Sequence, residues 1–102
     1  MKKYNNINIK YKLNEDKLIK EIKDYVDSTY RQHYSAGKYQ AADVIIESGH
    51  GEGFCIGNII KYAMRYGKKG GSNREDLLKI IHYGIIMLYV HDRLEKFFAT
   101  GE

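Results

Sequence analysis

The sequence contains no proline, no tryptophan and a single cysteine, Cys55. One cysteine excludes an internal disulfide, as is usual for proteins of a reducing cytoplasm. No apolar run approaches the ~20 residues that cross a bilayer. Lys2 and Lys3 are not followed by the apolar segment of a signal peptide. We therefore expect a soluble, cytoplasmic protein without membrane contact.

Motifs for metal binding and for phosphate loops are also missing. The histidines lie at positions 33, 50, 82 and 91, so none forms the i, i+4 pair typical of zinc sites. The pattern G-x-x-x-x-G-K-[ST] does not occur. Asp43 and Glu47 form one carboxylate pair, too few for a magnesium site of the helical pyrophosphatase kind. We expect no metal and no cofactor. Because Cys55 stands between two apolar residues, we predict a buried structural thiol rather than a nucleophile.

Positive charge is what the sequence has in excess. Lysine and arginine number 17 against 13 aspartates and glutamates, a formal net charge of +4. The stretch from Lys61 to Arg74 holds five cations and no acid, whereas a solvated surface normally mixes the two signs. This concentration favours an anionic partner such as a nucleotide or a nucleic acid.

The most informative stretch, residues 54–69, reads FCIGNIIKYAMRYGKK. Helical spacing divides it into an apolar face and a basic face. The apolar face consists of Phe54, Ile59, Ile60, Ala63, Met64 and Gly67. The basic face consists of Asn58, Lys61, Arg65 and Lys68, flanked by Tyr62 and Tyr66. The helix should end at Gly67, which tolerates a left-handed C-terminal cap. Such a face suits a charged, planar ligand such as a nucleotide; the alternative is an ordinary solvated helix face.

The remaining elements follow from periodicity and from capping residues. Residues 5–12 alternate as a half-buried strand, or as an arm that lies on a neighbour. Asn14 should cap a helix of about four turns, and residues 40–47 a shorter one. Residues 48–53 contain three glycines and are predicted to be a flexible link. Ser72 and Glu75 match a capping box that should start the longest helix, which ends near Phe98.

The longest helix is apolar on more than one side. One stripe contains Leu77, Ile81, Gly84, Ile85 and Leu88, and further apolar residues lie outside it. A helix of this kind needs cover on several sides, which a small chain supplies most simply with a second subunit. We therefore predict a mainly α single domain over residues 1–102, with three to four helices, a short N-terminal strand or arm at 1–13, and helices that pack across a homo-oligomer interface.

The polar sector of the longest helix also carries candidate site residues. Lys79 is three residues from His82 and four from Tyr83, so all three can face one cleft. If this helix packs antiparallel to the preceding one, that cleft faces Asn58, Lys61 and Arg65. The alternatives are a surface histidine and tyrosines that edge the core with their hydroxyls in water.

Three segments together resemble a small phage family that has no assigned function and includes a phage nucleoside monophosphate kinase without a Walker motif. The segments are HYSAGKYQAADVI, GFCIGNIIKYAMRYGKK and EDLLKIIHYG. The first family pattern falls on His33, Tyr34, Gly37, Lys38, Tyr39, Asp43, Val44 and Ile45. The second falls on Gly57, Asn58, Ile60, Lys61, Tyr62, Arg65, Gly67, Lys68 and Lys69. The resemblance covers about residues 33–90 and implies a nucleotide-binding core there.

The residues and the resemblance together give a functional hypothesis. We expect a phage-type protein of the host cytoplasm that binds a nucleotide or a nucleotide-derived defence signal and sequesters it without turnover. The expected ligand contacts are His33, Tyr34, Lys38, Asn58, Lys61, Tyr62, Arg65, Lys68, Lys69, Lys79, His82 and Tyr83. No catalytic residue is expected, because cations are plentiful and carboxylates scarce. A nucleoside monophosphate kinase and a module that binds single-stranded nucleic acid remain the alternatives.

Overall fold

The computed structural model describes residues 8–33, 41–68 and 70–100, without the side chains of residues 33 and 96–100. Four α-helices occur in this part of the chain: α1 Glu15–His33, α2 Ala41–Ile45, α3 Gly51–Arg65 and α4 Arg74–Thr100. A π-helical turn, Ile46–His50, joins α2 to α3. The predicted mainly α fold is therefore confirmed. Residues 8–13 form no strand, and residues 1–7 of the predicted strand or arm lie outside the described residues.

Helix α1 begins directly after Asn14, the predicted boundary residue. Asn14 has a φ of 66°, a left-handed conformation that asparagine tolerates better than most residues. Its carbonyl oxygen accepts the first helical hydrogen bonds, from the backbone nitrogens of Lys17 at 3.1 Å and Leu18 at 3.0 Å. The helix contains 19 residues, about a turn more than its apolar spacing predicts.

Residues 48–53 are not the flexible link that the sequence predicts. Helical backbone continues past Ile46, and the break is confined to Gly49, whose φ is 91°, and His50, whose φ is −109° and ψ 18°. Helix α3 then starts at Gly51, which is buried. A Cβ atom at Gly51 would lie 2.9 Å from a methyl carbon of Val90, so only glycine allows α3 and α4 to approach so closely here. These two glycines therefore serve a kink and a helix contact, not mobility.

Helices α3 and α4 pack antiparallel and form the centre of the fold. Gly51 at the start of α3 meets Val90 near the end of α4, and Tyr62 near the end of α3 stacks on Tyr83. Cys55 lies in this contact and is fully buried, which confirms the predicted burial of this thiol. The guanidinium of Arg74 at the start of α4 pairs with the Glu21 carboxylate at 2.5 Å and 2.8 Å, which ties α1 to the hairpin.

The connection between α3 and α4 is a compact turn. Helix α3 ends at Arg65 and Gly67 follows with a φ of 83°, so the predicted stop is confirmed. The Gly67 nitrogen donates to the Gly71 oxygen at 2.9 Å, which closes the turn. The predicted cap is displaced by one residue: Asn73, not Ser72, accepts a hydrogen bond from the Glu75 nitrogen through its Oδ1, at 2.9 Å. Both residue types cap helices well, so spacing alone could not separate them.

No helix in the described part of the chain is both long enough and apolar enough to span a membrane.

The close contact at Gly51 predicts opposite effects of the same substitution at two helical glycines. Gly51→Ala should lower the free energy of unfolding by about 1–3 kcal/mol, because the added methyl group overpacks against buried Val90. Gly53→Ala should raise it by up to ~1 kcal/mol, because a Cβ there meets nothing within 4 Å and alanine favours the helix. Urea denaturation of both variants measures the difference. Equal stabilisation of the two variants would show that α3 and α4 are not in this contact.

The burial of Cys55 predicts low thiol reactivity. Burial raises the pKa of the thiol, so less of the reactive thiolate is present at neutral pH. Native protein should react with a thiol reagent much more slowly than protein unfolded in urea, and Cys55→Ala should keep any ligand binding that the wild type has. Labelling at the unfolded rate would contradict the burial of this residue.

Candidate functional site

Three cationic side chains surround the ring of Tyr62. The Nζ atom of Lys61 lies 4.7 Å from the ring centroid, the Cζ atom of Arg65 5.2 Å, and the Nζ atom of Lys79 5.7 Å. These are cation–π distances, and the face of a tyrosine ring attracts positive charge. We call Lys61, Arg65, Lys79 and Tyr62 the cationic cluster.

Two helices build this cluster. Arg65 stands three residues after Tyr62 on α3, a spacing that places two side chains side by side. Lys61 directly precedes Tyr62, and its long side chain brings Nζ to the ring. Lys79 comes from α4, because the antiparallel packing brings the first turns of α4 next to the last turns of α3. In the described part of the chain, neither Lys61 nor Arg65 forms an ion pair, and Lys79 is 3.7 Å from the Glu75 carboxylate. The cluster therefore carries largely uncompensated positive charge.

Lys79 links the cluster to helix α1. Its Nζ atom donates a hydrogen bond to the Tyr25 hydroxyl oxygen, at 3.4 Å. Burial by itself lowers the pKa of Lys79, but this hydrogen bond and the charges around it, including Glu75, raise the pKa overall. Lys79 is therefore protonated at neutral pH, although it is only 31% exposed.

A cavity of about 740 Å³ adjoins the cluster. It lies between α1, the α2–π-turn segment and α4, and Lys79 and Tyr83 border both the cavity and the Tyr62 surroundings. Its aromatic lining consists of Tyr25, Tyr30, Phe54, His82, Tyr83 and Tyr89. We call this space the aromatic cavity. Its volume falls in the range of small-molecule sites, about 300–1,000 Å³.

Edge-to-face contacts hold the aromatic walls in place. The rings of Phe54 and Tyr83 meet at 5.6 Å with an interplanar angle of 77°, and Tyr25 meets His82 at 5.7 Å and 90°. Tyr83 is nearly parallel to Tyr62, at 14° and 6.1 Å, which makes it the wall shared with the cationic cluster. Rings fixed in this way leave their remaining faces and edges for a flat ligand.

The end of the cavity remote from Lys79 is closed by an ion pair. The guanidinium of Arg93 donates to the Glu47 carboxylate at 2.6 Å and to the Tyr89 hydroxyl at 3.2 Å. The hydrogen bond from Arg93 lowers the pKa of Glu47, and the pair is locally neutral. The cavity therefore has a cationic end at Lys79 and a compensated end at Tyr89 and Glu47. Lys79 and Tyr89 lie about 15 Å apart along α4.

His82 lines the cavity between these ends and is half-buried. Its pKa is lowered, first by burial and then by the positive charge of Lys79. The imidazole is therefore mainly neutral at neutral pH and can both donate and accept a hydrogen bond.

The described structure brings six of the predicted site residues together. They are Lys61, Tyr62, Arg65, Lys79, His82 and Tyr83. Asn58 is half-buried next to them, and its Nδ2 donates to the Phe54 carbonyl at 2.9 Å, so part of its amide already serves the helix. Lys68 lies exposed in the turn after α3, away from the contacts of Tyr62. His33 ends α1 without a described side chain, and Tyr34, Lys38 and Lys69 lie outside the described residues.

Four aromatic residues that line the cavity were not predicted as part of the site: Tyr25, Tyr30, Phe54 and Tyr89. Tyr25 belongs to the apolar stripe of α1, and Phe54 to the apolar face of α3. Both line the cavity because α1 crosses over α4, which no periodicity within α1 or α3 can reveal. An aromatic residue at an apolar helical position is equally compatible with a packed core and with the wall of a cavity, so the sequence alone does not distinguish them.

A second, smaller space lies on the other side of Tyr25. It has a volume of about 460 Å³ and is bordered by Ser28, Thr29, Arg74 and Lys79, among others. The described residues contain no group of three histidine, cysteine or carboxylate side chains arranged to hold a metal ion.

Residues 28–84, more than half of the chain, match the family model described as a protein of unknown function, DUF3310. The chain belongs to this family. The matched residues include α3, the turn and the first half of α4, so the DUF3310 region contains the whole cationic cluster. No curated protein and no solved structure matches the chain.

The lowered pKa of His82 predicts a specific pH dependence of stability. As pH falls below the unfolded value of 6.5, the unfolded chain takes up a proton before the folded chain does, so stability decreases. The urea midpoint of the wild type should fall between about pH 7.5 and pH 5.5. The decrease should level off below the folded pKa. Glu21 and Glu47, whose pKa values are lowered from 4.5, act at lower pH.

His82→Gln should flatten the stability profile in this window. The matched control is His50→Gln, which changes an exposed histidine and should keep the wild-type slope. A slope that survives His82→Gln would assign the proton uptake to another group.

Proposed function

We propose that this protein binds a phosphorylated nucleotide, with the base in the aromatic cavity and the phosphates at the cationic cluster. The observation that carries the proposal is the arrangement of Lys61, Arg65 and Lys79 around one tyrosine ring, beside a cavity with aromatic walls that Lys79 also lines. The DUF3310 family description assigns no function, so the proposal depends on the site itself and on the resemblance described above.

The cationic cluster suits phosphate for a chemical reason. Arginine offers a planar, bidentate donor set to a phosphate, and lysine a strong point charge. Lys61 and Arg65 are part-exposed, so an anion can reach them from solvent. Lys79 is less exposed, and its charge is therefore less screened by water. One phosphate or two close phosphates can contact all three cations.

The aromatic cavity suits a base. A planar heterocycle stacks on or against the edges of tyrosine and phenylalanine rings, and each such contact is worth about 1–3 kcal/mol per base. Neutral His82 and the Tyr25 hydroxyl supply donors and acceptors for its polar edge. The Nδ2 of Asn58 donates to the Phe54 carbonyl of α3, and the remaining hydrogen-bonding capacity of its amide can contact the ribose in this arrangement.

Binding without turnover is favoured over catalysis. Phosphoryl transfer normally uses metal ions held by carboxylates. The acids that line the cavity are Asp43 and Glu47, and Glu47 is paired with Arg93. In a phage-type protein, as the resemblance implies, a binder of this kind would sequester a nucleotide or a nucleotide-derived defence signal in the host cell.

Titration of charge variants tests the proposal. Arg65→Gln should weaken nucleotide binding roughly 10- to 150-fold, because a charge-assisted hydrogen bond is worth about 1.5–3 kcal/mol. Its melting temperature without ligand should change little, because Arg65 forms no ion pair in the described structure. The measurement is isothermal titration calorimetry with a panel of mono-, di- and cyclic nucleotides.

The matched control is Lys17→Gln, which also removes one positive charge but on the exposed surface of α1. It should leave the affinity within about twofold, the effect of net charge alone. Wild-type protein that binds no nucleotide below millimolar concentration would overturn the proposal. If Arg65→Gln and Lys17→Gln lose the same amount of affinity, the loss is an effect of net charge and not of a specific contact with Arg65.

A nucleoside monophosphate kinase is the second candidate, and one observation favours it. The smaller cavity beside Tyr25 shares Lys79 with the aromatic cavity, so two phosphorylated ligands could meet at this lysine. Incubation with ATP, Mg²⁺ and each nucleoside monophosphate, followed by chromatography for diphosphates, separates the two functions. Diphosphate formation that is lost in Lys79→Gln would establish the kinase.

A further inference from the structure

The α3–α4 hairpin has an apolar flank that nothing in the described chain covers. On α4 this flank contains Leu77, Ile81 and Leu88, which are between 39% and 64% exposed. Ile85, 43% exposed, lies at its border and lines the aromatic cavity. On α3 the flank contains Ile56, Ile60 and Met64, between 42% and 64% exposed. The sequence predicts a packed position for most of them: Ile60 and Met64 belong to the predicted apolar face of α3, and Leu77, Ile81 and Leu88 to the predicted stripe of α4.

The register of the two helices places these residues on one side. Ile56 follows buried Cys55 by one residue, and Leu77 follows buried Asp76 by one residue. One step along a helix turns the side chain by about 100°. Because α3 and α4 run in opposite directions, the residue that follows a contact position points to the same side of the pair in both helices. Residues that precede the contact positions, such as Lys61 before Tyr62, therefore lie on the opposite side, with the cationic cluster.

We infer that a second copy of this chain covers the apolar flank, in a twofold dimer whose two α3–α4 hairpins form a four-helix arrangement. The flank extends about 16 Å along α4 and about 12 Å along α3. A patch that spans two adjacent helices over this length can form the apolar centre of a standard interface, which buries roughly 800 Å² per partner.

Charge selects a second copy over other occupants. A twofold contact sets each patch against itself, so a charged patch would repel its own copy. The six flank side chains carry no charge in a protein of net charge +4. Two copies of the flank can therefore face each other without charge repulsion. The chain's own segments 1–7 and 34–40 are mainly polar, MKKYNNI and YSAGKYQ, and lack a matching apolar stripe.

Gly84 fits the centre of such an interface. It lies between Ile81 and Leu88, and a Cβ atom there would meet nothing within 4 Å in the single chain. Its absence of a side chain costs about 1 kcal/mol of helix propensity relative to alanine. Within the described residues, no contact requires a glycine at this position. The close approach of two α4 helices at the twofold axis would require one.

Light scattering of charge variants tests the dimer. At micromolar concentration the wild type should have twice the mass of the 11.9 kDa chain. Ile81→Glu should give a folded monomer by scattering and circular dichroism. Its matched control is Ile19→Glu, which places the same charge at an exposed isoleucine of α1, 64% exposed, and should remain dimeric. A monomeric wild type, or a dimeric Ile81→Glu variant, overturns the inference; if Ile81→Glu unfolds, Leu88→Gln takes its place.

Cross-linking tests which surface forms the contact. In a Cys55→Ala background, Gly84→Cys should oxidise to a covalent dimer, because the two copies of position 84 meet near the axis. Gly57→Cys, at another open helical glycine on α3, should not. The assignment of this flank is overturned if the protein is a dimer by scattering but Gly57→Cys forms the cross-link and Gly84→Cys fails to form it. The outcome is independent of nucleotide binding, since the cationic cluster lies on the other side of the hairpin.

Discussion

The packing of α3 against α4 through Gly51 and Cys55 sets the position of the other functional elements. It fixes the antiparallel register, in which Tyr62 faces Tyr83 and Lys79 reaches the last turns of α3. In this register, residues that directly precede a contact position point to the side where α1 lies. Residues that directly follow a contact position point to the opposite side. A chain with few helices thereby obtains a polar, aromatic side and a separate apolar side from one pair of helices.

The centre of this fold is small for its length. Among the described hydrophobic residues only Ile22, Cys55 and Val90 are buried, and 17 large ones are more than a third exposed. The aromatic residues between α1 and α4 do not close this deficit, because they line a cavity of about 740 Å³ rather than fill it. Since stability depends on the apolar area removed from water, the single chain has little to spare, and any ligand or subunit that covers these surfaces would stabilise it by mass action.

Much of α3, α4 and the basic face could be predicted from the sequence, because helical periodicity and caps are local properties. Lys61, Tyr62 and Arg65 are together for the same local reason. The kink at Gly49 and the close packing at Gly51 could not be predicted, since a glycine-rich stretch has the same composition in a link as in a tight helix contact. Tyr25 and Phe54 were missed as cavity walls because their role depends on where α1 crosses α4, a tertiary contact between residues more than 50 positions apart. The oligomer and the ligand remain predictions.

The cations around Tyr62 are informative because the same chain pairs two other arginines, Arg74 and Arg93, with acids. Arg74 is held by Glu21 and Arg93 by Glu47, each with a shortest contact of 2.5–2.6 Å, and each pair joins two elements of the fold. Each arginine that joins two elements in this way is therefore paired with a carboxylate.

Lys61 and Arg65 have no carboxylate partner in the described residues, and Lys79 adds a third positive charge near the same Tyr62 ring. Like charges this close repel, although solvent and the Tyr62 ring reduce the repulsion. A solvated helix face would relieve it with an acid one turn away, and α1 does so twice, with Lys20–Asp24 and Lys23–Asp27. Within the described residues no acid neutralises the positive charge beside Lys61 and Arg65, which supports the proposal that this site receives an anionic ligand.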